Sequence, residues 1–110
     1  MPAQLTEEIP HPAREEIEIG EVLHALSDPV RLQIVAALAS DECERRTCAS
    51  FDVPVSKSTC THHFKVLREA GVIRQCQEGT ARLNTLRWDD LDARFPGLLQ
   101  TILQSAPPLP

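Results

Sequence analysis

The stretch SKSTCTHHFKVLREAGVIRQ, residues 56–75, decides how this chain folds. Ser56 is a candidate N-cap, its hydroxyl able to accept from the first orphan backbone N–H groups of a helix. Phe64, Val66, Leu67 and Ala70 then recur at helical spacing and supply an inward face. Gly71 follows as the residue after the last turn, where a left-handed backbone suits glycine. Beyond it the period changes. VIRQCQ (72–77) and TARLNTL (80–86) flank Glu78-Gly79, with Gly79 able to take the positive φ of a hairpin turn. The neighbours His62 and His63 point about 100° apart on a helix of 3.6 residues per turn. One of them, His63, is expected to turn toward the core and the other, His62, toward solvent.

Upstream, ECERRTCASF (42–51) suggests a short helix, and DVPVS (52–56) a loop, because Pro54 disfavours helix at the residue before it. Two helices joined by a tight loop, the second opening on small hydroxyl residues, describe a helix-turn-helix. The hairpin that follows is then a wing. Further back, SDPVRLQIVAALAS (27–40) places Asp28 as N-cap and Pro29 at the first helical position, where a missing N–H costs nothing. Its apolar residues run almost all round, so it should be the most buried helix. Before it, Ile19, Val22, Leu23 and Leu26 fall at i, i+3, i+4 and i+7, a helix over about residues 15–26 with glutamates toward its N-terminal, positive end. On the far side, DDLDARFPGLLQTIL (89–103) reads as a short turn and then a helix from near Pro96. Residues 1–14 and 106–110 read as flexible tails around one domain, 15–105.

The expected fold class is mainly α with a small two-stranded β-wing: a winged helix-turn-helix, homodimeric. The dimer follows from apolar surface beyond what a core of this size needs, with Ile19, Val22, Leu23, Leu98, Leu99 and Ile102 expected at the interface.

Apolar residues form 42% of the 110, a globular share, and the length suits one domain. The longest apolar run, Ile34–Ala39, is far short of a membrane span. The acidic N-terminus lacks the features of a signal peptide. A cytoplasmic protein is expected, with no membrane partner and with its four cysteines as free thiols. A net charge of −5 taken as a whole is unsuited to nucleic acid, but its distribution reverses that. Residues 1–52 hold four basic and eleven acidic groups. Residues 53–82 hold Lys57, Lys65, Arg68, Arg74 and Arg82 against only Glu69 and Glu78. A basic patch on an acidic body binds a polyanion with one face.

HALSDPVRLQIVAAL (24–38) and SKSTCTHHFKVLREAGVI (56–73) together resemble the arsenic-repressor (ArsR) family of bacterial winged-helix transcription factors, and the likeness spans about residues 17–104. The resemblance implies a homodimeric repressor, bound to a double-stranded palindromic operator and released by a small effector whose identity the sequence does not carry. Lys57, Ser58, Thr61 and His62 fall where this family's recognition helix faces the major groove, with Ser56 and Thr59 beside them. Lysine can donate to guanine, and hydroxyls and imidazole suit bases or phosphates. Lys65 and Arg68 lie further along, placed for phosphates or salt bridges. Arg82, past the wing tip, is a candidate for the minor groove or backbone. One departure concerns the effector: the cysteine pair of the family's arsenic and cadmium sensors is matched here by Arg45 and Thr47. The carboxylates and histidines of its zinc sensors are matched only by Asp89, Asp90 and Asp92.

Other chemistries fit less well. Cys43 and Cys48 with His62 and His63 have the composition of a Cys2His2 zinc site, but adjacent histidines cannot both reach one metal in the usual geometry. Cys60 and His63, at i and i+3, have the spacing of a nucleophile–base pair, yet no third group or oxyanion loop accompanies them. Neither catalysis, nor a metal, nor any cofactor is therefore expected. A thiol or soft-metal sensor using Cys43, Cys48 or Cys60 stays open. Cys60 lies near a helix N-terminus with Lys57 close by, which favours thiolate. An adduct there, on or beside the DNA-facing side, would conflict with the duplex. Cys76 is expected beneath the wing.

Overall fold

The computed structural model describes residues 6–40, 46–47, 57–79 and 81–105. In chain order the elements are β1 (Thr6–Glu8), a 3-10 turn (Arg14–Glu16), α1 (Ile19–Leu26), α2 (Pro29–Ser40) and β2 (Arg46–Thr47). There follow α3 (Lys57–Ala70), β3 (Ile73–Glu78), β4 (Ala81–Leu86), α4 (Trp88–Arg94) and α5 (Leu98–Ser105). Helices dominate, and an antiparallel hairpin follows α3 as the residue pattern predicts. Among the described residues no single helix is long and apolar enough to cross a membrane.

Asp28 caps α2 as expected, its Oδ2 accepting from the N–H groups of Val30 (2.9 Å) and Arg31 (3.1 Å). Ile34, Val35 and Leu38 are buried, and only Pro29 and Ala39 are exposed among the described side chains of this helix. α3 ends as its glycine predicts. Gly71 has φ +87°, its N–H donates to Arg68 O, and Val72 N–H donates to Leu67 O, which closes the last turn. Glycine is also needed for space, since a Cβ here would sit 2.6 Å from Cγ1 of Ile17. Gly79, at φ +62°, turns the hairpin. β3 and β4 pair from Ile73↔Leu86 to Glu78↔Ala81.

The core lies between α1, α2, α3, the hairpin and the C-terminal helices. Ile17, Val22, Ile34, Phe64, Leu67, Val72, Ile73, Leu91 and Leu99 are among its members.

Several expectations are corrected. The helix expected over 15–26 starts only at Ile19. Arg14–Glu16 form a 3-10 turn, and Ile17 is extended (φ −72°, ψ 125°), which lets its side chain fill the space under Gly71. Within the stretch 42–51, Arg46–Thr47 form a strand rather than helix, because they pair with Asn84 and Leu83 of β4. The remainder of that stretch, with Cys43 and Cys48, lies outside the described residues, as does the loop 52–56 with Ser56. The wing hairpin is the middle of a four-stranded sheet of order β1-β3-β4-β2. Its outermost strand comes from the segment expected to be a tail: Thr6, Glu7 and Glu8 pair with Glu78, Gln77 and Cys76. Ile9 N–H adds a bond to Gln75 O at 3.0 Å. The turn expected after the hairpin is a helix, α4, and α5 begins past Gly97.

The residues chosen for a dimer interface divide. Ile19 (48% exposed) and Leu23 (46%) face outward, and Leu98 and Ile102 are half-buried. Val22 and Leu99 are buried within the chain, packed into its own core, and have no surface left for a partner. Helical periodicity marks an apolar stripe but not which edge of it the chain itself covers.

Candidate nucleic-acid interface

α3 is strongly two-sided. Cys60, His63, Phe64, Leu67 and Ala70 are buried, whereas Ser58, Thr59, Thr61, His62, Lys65 and Glu69 are exposed. The residues 58, 61, 62, 65 and 69 recur at i, i+3, i+4, i+7 and i+11, one continuous face. Its first two turns carry hydroxyls, an imidazole and an ammonium, and its carboxylate, Glu69, comes at the far end. No acidic residue occupies the first turn, so the helix itself places no negative charge at the positive end of its dipole. Lys57 opens the helix, but its side chain, like that of Arg82 on β4, lies outside what the structure describes. Arg82 occupies a position opposite Gln77 on the hairpin.

The two histidines separate as expected, with His62 outside and His63 inside, their rings tilted by 50°. His63 anchors α3 to α2. Arg31 Nη1 donates to His63 Nδ1 at 3.2 Å, which requires that nitrogen to be unprotonated and leaves Nε2–H facing Asp28 Oδ2 at 4.0 Å. Arg31 also donates from Nε to Ala25 O (2.6 Å) and from Nη2 to His24 O (3.4 Å), tying in the end of α1. Burial pushes the His63 pKa down; Asp28 opposes this, and the positive charge of Arg31 and neighbouring His62 reinforce it. Burial works against the charge of Asp28 as well. The backbone N–H groups of Arg31 and Val30, with His63 and the Arg31 guanidinium, outweigh it and hold that carboxyl below its ordinary value.

Two site assignments change. Cys60, expected on or beside the outward face, is 4% exposed and belongs to the core. It is in phase with Phe64 and Leu67 at i+4 and i+7, and that phase outweighs its closeness to the helix end. A modification of its sulfur therefore meets packed side chains rather than the outward face of α3. Arg68 is half-buried and turned to the sheet: its Nη1 donates to Gln75 Oε1 at 2.9 Å, and Gln75 Nε2 donates to Asn84 Oδ1 at 2.8 Å. Its buried Nε has no hydrogen-bond partner among the described residues.

Sequence reasoning missed this Arg68–Gln75–Asn84 relay, which ties α3 to both strands of the hairpin. Its signal was present in the alternation of β3, where Gln75 is in phase with buried Ile73. Asp28, read only as a cap, and Arg31 were likewise missed as anchors of α3.

The comparisons with known proteins agree with this geometry. Residues 26–76, from the end of α1 into β3, match the model of a family described as a helix-turn-helix domain. The chain is similar to the uncharacterized HTH-type transcriptional regulator YceK of Bacillus subtilis (strain 168), 32% identical over 85 residues that cover 76% of this chain and 84% of the relative. It is also 32% identical over 62 residues to the uncharacterized HTH-type transcriptional regulator MJ1325 of Methanocaldococcus jannaschii, covering 56% of this chain and 68% of that one. With a hydroxyl- and cation-bearing helix held against a hairpin, and relatives of this kind along most of its length, the chain belongs to the helix-turn-helix transcriptional regulators, which bind DNA.

Proposed function

We propose that this regulator is a repressor of the ArsR type, binding a palindromic operator as a homodimer. In this reading α3 enters the major groove and the hairpin lies along the flanking backbone or minor groove. The observation that carries it is the outward face of α3, where Ser58, Thr59, Thr61, His62 and Lys65 stand together with no carboxylate among them. Thr61 and His62 read base edges, Ser58, Thr59 and Lys65 hold the phosphates, and Lys57 and Ser56 stand at the end of the helix that leads in. The exposed Ile19 and Leu23, with half-buried Leu98 and Ile102, supply the surface for the second copy. Two recognition helices then meet successive major grooves about 34 Å apart.

The test is fluorescence anisotropy with duplexes from the protein's own promoter and of random sequence, across a salt series. Specific binding should exceed non-specific binding by roughly a thousandfold or more. Thr61→Ala and His62→Ala should each cost about 1–3 kcal/mol on the operator and little on random DNA. Arg82→Ala should weaken both duplexes alike and flatten the salt dependence. Equal affinity for both duplexes would sink the sequence-reading role. Altered sequence choice in Arg82→Ala, with only a salt effect in His62→Ala, would reverse the roles of helix and wing.

A further inference from the structure

Arg68, Gln75 and Asn84 form a polar chain through an otherwise apolar contact, running from α3 to both strands of the hairpin. Arg68 stands three residues after Lys65 and seven after Thr61, on the same side of α3 as the outward row and at its border with the sheet. Its Nη1 donates to Gln75 Oε1 at 2.9 Å, and Gln75 Nε2 donates to Asn84 Oδ1 at 2.8 Å. Gln75 and Asn84 lie opposite one another in the register of β3 and β4, and they are only 3% and 0% exposed. Polar groups placed in such a contact cost desolvation that apolar side chains would not. What they add is a fixed geometry, because hydrogen bonds demand a set distance and direction while apolar surfaces slide.

That geometry matters because of where the pivot lies. Gly71 and Val72 alone separate α3 from β3. Val72 N–H donates to Leu67 O and Arg87 N–H donates to Val72 O, but both bonds act at the pivot itself. The relay acts further out, three residues past Val72 on β3. Beyond it the hairpin runs to its turn at Gly79, four residues past Gln75, or about 13 Å at about 3.3 Å per residue. A tilt of about 10° at the relay therefore moves the turn by about 2 Å, whereas a hydrogen bond tolerates a range of only about 0.5 Å. Slack at Gln75 is enough to lose a contact at the wing tip.

We propose that Arg68, Gln75 and Asn84 are positioning residues for DNA, holding the wing at the angle to α3 at which Arg82 meets the duplex while α3 occupies the major groove. This rests on the DNA-binding reading above and adds to it a cause for the wing's placement. The three side chains act through Arg82 and do not themselves touch the duplex.

The test is a double-mutant cycle on the full chain, read as the slope of log affinity against log salt concentration for a promoter duplex. Arg82→Ala should lower the steepness of that slope by about 0.9 in the wild type, the share of one neutralised phosphate. Gln75→Met, which keeps side-chain length and net charge, should lower it by nearly as much. Adding Arg82→Ala to Gln75→Met should then change the slope by less than about a third of its effect in the wild type. His62→Ala should keep its full effect on affinity in the Gln75→Met background, because α3 itself has not moved. A variant that is merely less stable behaves differently. Its reduced folded fraction divides the affinity by one factor and leaves the slope unchanged. Arg68→Met cuts the relay from its partly exposed end and repeats the test should Gln75→Met fail to fold; its own lost charge is common to both arms of its cycle with Arg82→Ala. Additivity of Arg82→Ala with the relay variants, or a His62→Ala effect that vanishes together with that of Arg82→Ala, would overturn the positioning role alone. A wild type that binds no duplex, or whose slope Arg82→Ala leaves unchanged, would overturn the wing's part in the DNA reading and the positioning role with it.

Discussion

His63 shows how one side chain is given a structural task on a helix whose other face is the one proposed to read DNA. It is held neutral by burial and by donation from Arg31, so the folded chain resists its protonation. Once pH falls below the ordinary histidine value of about 6.5, the unfolded chain takes up that proton first and unfolding is favoured. Stability should therefore decline from about pH 7 to about pH 5, and His63→Gln should flatten this slope in urea titrations. A slope equal to that of the wild type would show that His63 is not its source. Asp28 acts in a separate, more acidic window. Its lowered pKa contributes stability above the carboxylate range, which is lost as pH falls through it. Gly71 is the other residue with a sharp expectation. Alanine there would combine a left-handed backbone at φ +87° with a Cβ 2.6 Å from Ile17. Strain and overpacking together should cost about 2–4 kcal/mol in chemical denaturation.

Among the elements, the relation that matters is between α3 and the hairpin. Arg68, Gln75 and Asn84 bridge them in an otherwise apolar contact, and Asn84 is wholly inaccessible to solvent. Such a relay costs desolvation but has one best geometry, whereas apolar packing alone tolerates sliding. Asn84→Leu would strand the Gln75 amide and should destabilise the chain by about 1–3 kcal/mol. The loss should also reduce hydrogen-exchange protection in β3 and β4 more than in α2, whose cap and core contacts are untouched. Uniform loss across all elements would mean that Asn84 supports the core in general rather than the hairpin. β1 contributes at this scale too, since it covers the edge of β3 that would otherwise be open for pairing with another chain.

For the molecule as a whole, Arg87 fastens the N-terminal segment to the body. Its side chain reaches Pro12 O and Asp90, while its backbone N–H donates to Val72 O at 3.0 Å. Residues 6–16 therefore belong with the domain rather than trailing from it. Elsewhere Ile19 and Leu23 leave apolar surface exposed, Ile19 beside the partly buried Phe95 and Leu98. If a second copy covers this surface, Leu23→Glu should give a folded monomer by sedimentation velocity and weaken operator binding. Val22→Glu, in the core, should instead unfold the chain. A wild type that sediments as a monomer with full operator affinity would remove the dimer from the reading.

The sequence by itself determined what depends on neighbours within a few residues. The cap at Asp28, the stop at Gly71, the turn at Gly79 and the two-sidedness of α3 all follow from backbone sterics and the 3.6-residue period, and were legible without coordinates. The outward positions of Ser58, Thr61 and His62 were legible from the resemblance of residues 56–73 to a known family, and the helical period agrees with them. Tertiary structure alone decided where the choice of partner lies far away in the chain. Nothing local in Thr6–Glu8 or Arg46–Thr47 specifies a strand; open edges of β3 and β4 do, roughly 70 and 40 residues later. Val22 and Leu23 are adjacent and equally apolar, and only the packing of the other helices buries one and exposes its neighbour. Arg68 was free by its sequence to meet a phosphate, but the buried amide of Gln75 lay within reach. A desolvated acceptor left unpaired costs more than a contact that water can replace.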